Sequence, residues 1–258
     1  TTNQMKYIVT NFPELMTSLF HAKASRGHVR LAWRGQADAA WKLETTLHRV
    51  VRERSLVERR WELTINNEFM ADAPGMSSST PSRREAANWL VVMRHHGLPS
   101  RLLDWTWNPL VAAYFAVCGQ TDKDAALWAV DVGQLNLTYG ADWGLGSLYA
   151  DEDPLKALVH APFSGKEPPK AVFAVAAPHA TRRITAQQGL FTIHGIPDPL
   201  ENIVALEKHL DRILIPASAK SGLLNDLGYL GMSRSHLMVD LDSLALDIAN
   251  AGRAPICK

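Results

Sequence analysis

The sequence predicts one α/β (α+β) domain in which a mixed central sheet is flanked by helices. Segments that alternate apolar and polar residues with period two are interspersed with segments of helical spacing along the whole chain. With 258 residues, of which 47% are hydrophobic and 21% charged, the chain can bury one substantial core. No internal repeat or low-complexity segment divides it. We therefore expect residues 1–258 to form a single domain.

The first predicted elements are a helix and a basic strand. A proline and a glutamate in the first turn place the start of the helix near Asn11, and the helix ends near Gly27. Residues 1–28 are therefore expected to be an N-terminal helical segment. Residues 29–34 alternate with period two, which predicts a strand whose basic side chains, Arg34 among them, project from one face.

The middle of the chain predicts two helices and an irregular segment. Helical spacing covers residues 55–69, residues 73–81 form an exposed loop, and helical spacing returns over residues 82–94. Gly97 is placed to end that second helix. Residues 98–106 are short and interrupted by polar residues and a proline, so we predict no regular element there.

A central buried helix is predicted directly after this segment. Asn108 and the proline after it form a typical helix start, and residues 110–117 are apolar on all sides. A helix that is apolar all round belongs in the interior. Its start therefore places Asp104 in the interior or on the floor of a cleft.

The second half of the chain predicts two buried strands, a long insertion and a run of further elements. The strands cover residues 126–130 and 171–175, and the Gly- and Pro-rich segment between them, residues 140–170, is expected to be an insertion loop. The last third is predicted as strand 190–194, helix 201–210, strand 212–215, helix 218–227, strand 236–239 and a final helix.

Composition excludes several classes of protein. Lys and Arg total 27 against 26 Asp and Glu, so a net charge of +1 gives no reason to expect a general nucleic-acid or membrane-binding surface. Neither a targeting segment nor a membrane span is predicted. Cys118 and Cys257 are the only cysteines, which excludes a disulfide framework or a cysteine-rich metal site. We therefore expect a cytoplasmic protein.

Polar residues capable of chemistry concentrate in two short segments. The first is Trp33-Arg34-Gly35-Gln36, where an arginine at a strand end precedes a glycine that permits close approach of a ligand. The second, residues 95–106, reads HHGLPSRLLDWT. Because a buried unpaired ion is costly, we expect Arg101 and Asp104 to be paired, with each other or with Arg34 on the carboxylate. A ligand site and a purely structural ion network both fit this pattern.

Sequence motifs for several other chemistries are absent. The chain has no Gly-x-Ser-x-Gly, Walker, Gly-x-Gly-x-x-Gly or His-Glu-x-x-His motif. The adjacent His95 and His96 project in different directions from a helix, so we expect no metal site. Hydrolysis or nuclease action through these histidines remains a distant alternative, since neither a metal set nor a nucleophile triad accompanies them.

The combined motifs closely resemble the FRG domain, a family named after a Phe-Arg-Gly motif. The resemblance rests on residues 33–36, the HHGLPSRLLDWT segment with the Asn108-Pro109-Leu110 that follows it, Tyr114-Phe115-Ala116, and the later residues 183–191, RITAQQGLF. Tryptophan stands here where the family has phenylalanine. The blocks are scattered over roughly residues 30–250.

A weaker similarity links the chain to ADP-ribosyltransferases, and it implies NAD as substrate. In those enzymes a strand-borne arginine holds the NAD phosphates or ribose, which is the role implied for Arg34. Tyr114 or Trp105 would stack on the nicotinamide ring. The candidate NAD-binding residues are Arg34, Gly35, Gln36, Arg101, Trp105, Tyr114 and Gln187.

The same similarity implies a set of catalytic residues. Gln187 or Gln188 stands about where these enzymes carry a catalytic glutamate, and a neutral amide cannot supply the negative charge that the usual mechanism requires. Asp104 could provide that charge, or the protein could bind without catalysing. The candidate catalytic residues are Arg34, His96, Asp104 and Gln188, with His96 as hydrogen-bond donor or base.

Two functional hypotheses follow from these residues. The first is an NAD-dependent ADP-ribosyltransferase-like effector, of the toxin or phage-defence type, that modifies a protein or nucleic-acid acceptor and is held in check by a neutralising antitoxin partner. The second is a non-catalytic FRG module that binds a ligand or a partner protein. The missing glutamate is the feature that separates the two.

Overall fold

The computed structural model describes residues 5–27, 29–176 and 181–250, which fold around one eight-stranded sheet. The strands are β1 (Met5–Ile8), β2 (Leu31–Gln36), β3 (Leu102–Thr106), β4 (Ala125–Asp131), β5 (Gly146–Ser147), β6 (Val172–Ala176), β7 (Gly189–His194) and β8 (Leu210–Ile215). The helices are α1 (Phe12–Ala24), α2 (Thr46–Arg54), α3 (Glu58–Met76), α4 (Ala86–His95), α5 (Pro109–Val117), α6 (Val132–Thr138), α7 (Leu155–Ser164), α8 (Arg182–Ala186), α9 (Lys220–Tyr229), α10 (Arg234–Met238) and α11 (Leu241–Ala249).

The sheet is mixed and is joined at its middle by a single residue pair. The strand order is β1-β8-β4-β2-β3-β7-β6-β5, with parallel pairs at the two edges and antiparallel pairs between them. β2 pairs with β4 along its whole length, and β3 does the same with β7. Between β2 and β3 only Trp33 and Thr106 are paired. The sheet thus consists of two four-stranded halves, and the predicted mixed sheet flanked by helices is confirmed.

The buried helix predicted after residue 108 lies against the sheet as expected. The Asn108 side chain accepts a hydrogen bond from the backbone N–H of Leu110 at 3.0 Å, which caps α5. Most of α5 is buried in a core cluster formed with α1, α9 and the strands β2, β4 and β8. The start of α5 follows β3 directly, so the central helix fixes where β3 ends.

Several predicted helix ends are confirmed by their caps. The Asn11 side chain accepts from the backbone N–H of Glu14 at 3.0 Å at the start of α1. Gly97 follows α4 with φ +82°, a left-handed conformation that glycine adopts without strain. The predicted helices near residues 218–227 and after residue 240 correspond to α9 and α11.

Three local predictions are wrong. Residues 98–106 were expected to be irregular, but Leu102–Thr106 is β3, whose pairing with β7 and buried leucines outweigh the turn-forming residues before it. Residues 236–239 are not a strand, because Ser233 caps the short helix α10 and Val239 ends it in a left-handed conformation. Residues 201–210 form short 3-10 turns instead of an α-helix. The helix α2 was not predicted.

The predicted insertion, residues 140–170, contains regular structure. Its helix α7 buries Leu155, Leu158 and Val159 in a core cluster shared with α4, β6 and β7. Whether this segment is an insertion relative to other proteins stays a prediction. Cys118, just after α5, is disulfide-bonded, which the expectation of a cytoplasmic protein did not anticipate. Cys257 lies outside the described residues. No helix within the described ranges is long and apolar enough to cross a membrane.

Candidate functional site

A cavity of about 540 Å³ lies where the two halves of the sheet meet. Residues of β2, β3, β7 and the helices α4, α5 and α8 line it. Its polar lining consists of Arg34, Arg94, His95, Asp104, Thr106, Arg183 and Gln187. Its aromatic lining consists of Trp33, Trp41, Trp105, Phe115 and Phe191. The size and the mixture of aromatic walls with a few charged groups are typical of a pocket that can hold a small molecule.

Asp104 lies at the centre of the polar lining and is held by two arginines. Nε of Arg94 donates to Oδ2 of the Asp104 carboxylate at 3.0 Å, and Nη2 of Arg94 donates to the same oxygen. Nη1 of Arg34 donates to the backbone carbonyl of Asp104 at 2.7 Å and lies 3.8 Å from the carboxylate. The predicted pairing of Arg34 with Asp104 is therefore confirmed, and Arg94 is the stronger partner.

Both groups of this pair remain charged near neutral pH. Burial lowers the pKa of Arg34 to about 10, and the Asp104 carboxylate offsets only part of that effect. Partial burial alone would raise the pKa of Asp104, but the charge and hydrogen bonds of Arg94, together with Arg34 and Arg183, hold that pKa below its ordinary value. The Asp104 side chain is 44% exposed, so its charge faces the cavity as well as the arginines.

We expect the contribution of Asp104 to stability to disappear in acid. A carboxyl group whose pKa is lower in the folded state stabilises the fold above its unfolded pKa of about 3.9, and that stabilisation is lost as the pH falls through the folded pKa. The melting temperature of Asp104→Asn should therefore lie below that of the wild type at pH 7, and the gap should shrink at pH 3. A difference in melting temperature that is the same at pH 7 and pH 3 would contradict the lowered pKa of Asp104 in the folded protein.

The two histidines that end α4 have different surroundings. His95 lines the cavity and is half-buried, whereas His96 is exposed and contacts the rings of His95 and Phe69. Burial and the neighbouring charge of Arg183 lower the pKa of His95. His95 is therefore a neutral imidazole at pH 7. His96 was expected to be the base or hydrogen-bond donor, but its neighbour His95 is the histidine that lines the cavity.

Arg101 does not line the cavity, and its predicted pairing with Asp104 is wrong. Its side chain is fully buried and donates through Nε to Glu62 at 2.9 Å and through Nη1 to the carbonyl of His194 at 3.0 Å. Arg101 precedes β3, and Asp104 lies three residues later within the strand. Because side chains alternate along a strand, sequence proximity does not bring these two groups together.

Gln36 and Tyr114 also lie away from the cavity. The Gln36 amide donates to the carbonyl of Lys42 at 3.0 Å and accepts from Trp128 Nε1 at 2.8 Å, so it holds a loop to the sheet. Tyr114 is buried in the core around α5, and its ring packs edge-on against Phe115. Of the predicted stacking residues, Trp105 borders the cavity.

The glutamines before β7 are divided between the cavity and the surface. Gln187 lines the cavity; its carbonyl accepts from Thr106 Oγ1 and its amide Nε2 donates to the carbonyl of Leu237 at 3.0 Å. Gln188 is exposed in a left-handed conformation, φ +48°, and its carbonyl accepts from the backbone N–H of Trp107. Neither position supplies a carboxylate to the cavity.

Sequence reasoning missed Arg94, Arg183, His95 and Trp41 as cavity residues. Arg94 directly precedes the polar segment of residues 95–106, and His95 is the first residue of that segment, so a segment starting one residue earlier would have included both. Arg183 was noted only as part of a motif. No group of three or more His, Cys, Asp or Glu side chains that could hold a metal occurs in residues 5–27, 29–176 and 181–250.

Comparison with known families identifies the part of the chain that carries most of this site. The model of the FRG domain family matches residues 29–125. The chain contains an FRG domain. The matched FRG segment includes Arg34, Arg94, His95 and Asp104, whereas Arg183 and Gln187 lie beyond its end. Comparisons with curated proteins and with solved structures found no match to this chain.

Proposed function

We propose that the FRG protein is an NAD-dependent ADP-ribosyltransferase-like effector of the toxin or phage-defence type, which modifies a protein or nucleic-acid acceptor. The observation that carries this proposal is the cavity itself, in which three arginines and several aromatic rings surround one carboxylate. Arginines bind phosphate oxygens through charge-assisted hydrogen bonds, and aromatic rings stack on planar bases. NAD offers a diphosphate, two ribose rings and two planar bases to such a lining.

The transfer reaction gives Asp104 a chemical role. The bond between nicotinamide and C1′ of its ribose breaks, nicotinamide leaves as a neutral molecule with the bonding electrons, and the acceptor attacks C1′ and loses a proton. Positive charge develops on the ribose as the old bond breaks. A fixed carboxylate beside C1′ stabilises that charge in the transition state. Among the described residues, Asp104 is the carboxylate that lines the cavity.

His95 supports this reaction as the group that accepts the proton. Its neutral imidazole lies in the same lining as Asp104, and a base must be unprotonated before it can take a proton from the acceptor. In this proposal Arg34 binds phosphate or ribose, the role that the similarity to ADP-ribosyltransferases implies for it. The acceptor enters the cavity after NAD and gives its proton to the His95 imidazole.

The second hypothesis, a binding module without catalysis, has one observation in its favour. Arg94 donates two hydrogen bonds to the Asp104 carboxylate and Arg34 lies 3.8 Å from it, so much of the negative charge is already compensated. A carboxylate paired in this way stabilises a developing cation less than a free one would. Binding and turnover must therefore be measured separately.

We expect Asp104→Asn to lower NAD cleavage about 100- to 1000-fold, the usual cost of removing one transition-state-stabilising group, and to change NAD affinity little. The experiment measures NAD binding by calorimetry and nicotinamide release by chromatography, with cell extract or nucleic acid supplied as acceptor. Asp122→Asn is the matched control, because Asp122 is 73% exposed and pairs only with its neighbour Lys123 among the described residues.

The outcomes separate the two hypotheses. Wild-type protein that binds NAD but releases no nicotinamide with any acceptor would establish the binding module instead. Protein that does not bind NAD would overturn both the transferase proposal and NAD as ligand. Equal cleavage by Asp104→Asn and Asp122→Asn would remove Asp104 from the mechanism while leaving the activity intact.

A further inference from the structure

Arg183 is a cavity residue that makes no hydrogen bond or salt bridge with the described part of the chain. It belongs to the short helix α8, lines the cavity and is half-buried. No hydrogen bond or salt bridge joins its guanidinium to any other described residue, in contrast to Arg34 and Arg94, which both bind Asp104. A half-buried guanidinium with unused donors is favourable only when an anion or water satisfies them.

The cavity lining has more positive than negative charge. Three guanidinium groups, those of Arg34, Arg94 and Arg183, face one carboxylate, Asp104, which leaves an excess of two positive charges. His95 adds none at neutral pH because burial and Arg183 lower its pKa. Asp240 also lies near Arg183, but it is exposed, lines a different surface depression and accepts a hydrogen bond from Ser243 at the start of α11. The charge balance fits a ligand with about two negative charges.

The aromatic lining adds a second requirement on the ligand. Trp41 is 46% exposed and Phe115 is partly buried, and both border the cavity that the arginines line. An aromatic face beside free guanidinium groups suits a planar ring attached to phosphates. A simple inorganic anion would leave these aromatic faces uncovered.

We propose that Arg183 binds the diphosphate group of the ligand, and that the cavity selects nucleotides in which a diphosphate is joined to an aromatic base. This inference rests on the proposed function in that NAD is such a molecule, but it concerns the ligand class and a residue outside the family match. Arg34 and Arg94 hold Asp104 in place, and Arg183 supplies donors that no residue in the described ranges uses.

The test compares Arg183→Ala with Arg182→Ala. Arg182 is the adjacent arginine on α8, it is exposed and it does not line the cavity, so the two variants remove the same group from the two sides of one helix. Calorimetry at fixed salt measures binding of ADP-ribose, ADP and adenosine to the full chain. Circular dichroism and melting temperature verify that each variant is folded.

We expect wild-type protein to bind ADP and ADP-ribose at least about tenfold more tightly than adenosine. Arg183→Ala should weaken ADP binding about ten- to hundredfold, the range for loss of one charged hydrogen-bond partner, and Arg182→Ala should stay within about twofold. Because the contact is ionic, raising the salt concentration should weaken ADP binding to wild-type protein more than to Arg183→Ala. Arg183→Lys, which keeps the charge, should lie between wild type and Arg183→Ala.

Other outcomes overturn the inference and remain distinguishable from failure of the proposed function. Equal ADP affinity of Arg183→Ala and Arg182→Ala, adenosine binding as tight as ADP binding, or no ADP binding at all would overturn it. If Arg183→Ala binds and cleaves NAD normally, the inference fails and the transferase proposal stands. If ADP binding depends on Arg183 but NAD is neither bound nor cleaved, the inference stands and the transferase proposal fails.

Discussion

Gly35→Ala is expected to destabilise the protein by about 3 kcal/mol, the upper part of the usual range for an overpacked core. A methyl group at residue 35 would lie 1.9 Å from the backbone oxygen of Ala112 and 2.5 Å from the backbone nitrogen of Ala116. Both atoms belong to the backbone of α5, so no side-chain rotation relieves the overlap, and the helix would have to move away from β2. The glycine of the Trp-Arg-Gly motif is therefore required for packing.

The experiment measures thermal and denaturant unfolding of Gly35→Ala beside Gly222→Ala. A loss of about 3 kcal/mol corresponds to a melting temperature lower by about 6–12 °C for a chain of this size. A methyl group at residue 222 of α9 meets no atom within 4 Å, so that variant should gain about 0.5–1 kcal/mol from its lower chain entropy. Equal stability of the two variants would show that α5 does not lie against β2 as described.

The second large effect is expected from the buried ion pair of Glu62 and Arg101. Glu62→Gln keeps the shape of the side chain but removes the carboxylate that binds Nε of the fully buried Arg101 guanidinium, and the Glu58 carboxylate stays 3.6 Å from Nη2. Breaking a buried pair costs about 3–5 kcal/mol, and because Glu58 compensates part of the charge we expect the lower end of that range. His194 cannot compensate, because burial and the neighbouring groups hold its pKa well below its ordinary value and leave it neutral. Unfolding in denaturant measures the loss.

Glu167→Gln is the matched control for this prediction. Glu167 pairs with Arg59 at 3.1 Å on the surface, where both side chains are more than half exposed, and such pairs contribute about 0–1 kcal/mol. The double variant Glu62→Leu with Arg101→Met removes both charges and should recover much of the stability. A Glu62→Gln protein as stable as Glu167→Gln would contradict the buried network. Since Arg101 does not line the cavity, ligand affinity of the folded fraction should stay unchanged.

Gly35 and Arg101, which belong to the motifs that resemble the FRG domain, have separate structural roles. Gly35 permits α5 to pack on β2, and Arg101 binds a carboxylate beneath the sheet. Gly35 also borders the cavity, together with its neighbour Arg34 and with Asp104. One short motif thus contains both packing residues and cavity-lining residues, and a variant that loses activity must be tested for stability before a ligand role is assigned.

Local sequence determined much of the fold. The helix starts at Asn11 and Asn108 and the stop at Gly97 were predictable because a side chain close in sequence, or glycine's tolerance of positive φ, decides each of them. The buried strand β4 was predictable because Ala125 to Val130 form a short continuous apolar run. The polar segment around Asp104 was likewise identified, and it does reach the cavity.

Other features were decided only by tertiary structure. β3 forms because its residues pair with β7, which lies more than eighty residues later in the chain. The spacing of apolar and polar residues within β3 does not indicate that pairing. Arg94, Arg183 and Asp104 line the same cavity because α4 and α8 lie beside the junction of β2 and β3. The sequence by itself determined which residues could be charged, capped or buried. Only the tertiary structure decided which charges share a cavity, because distance in space, not in sequence, sets the strength of their interaction.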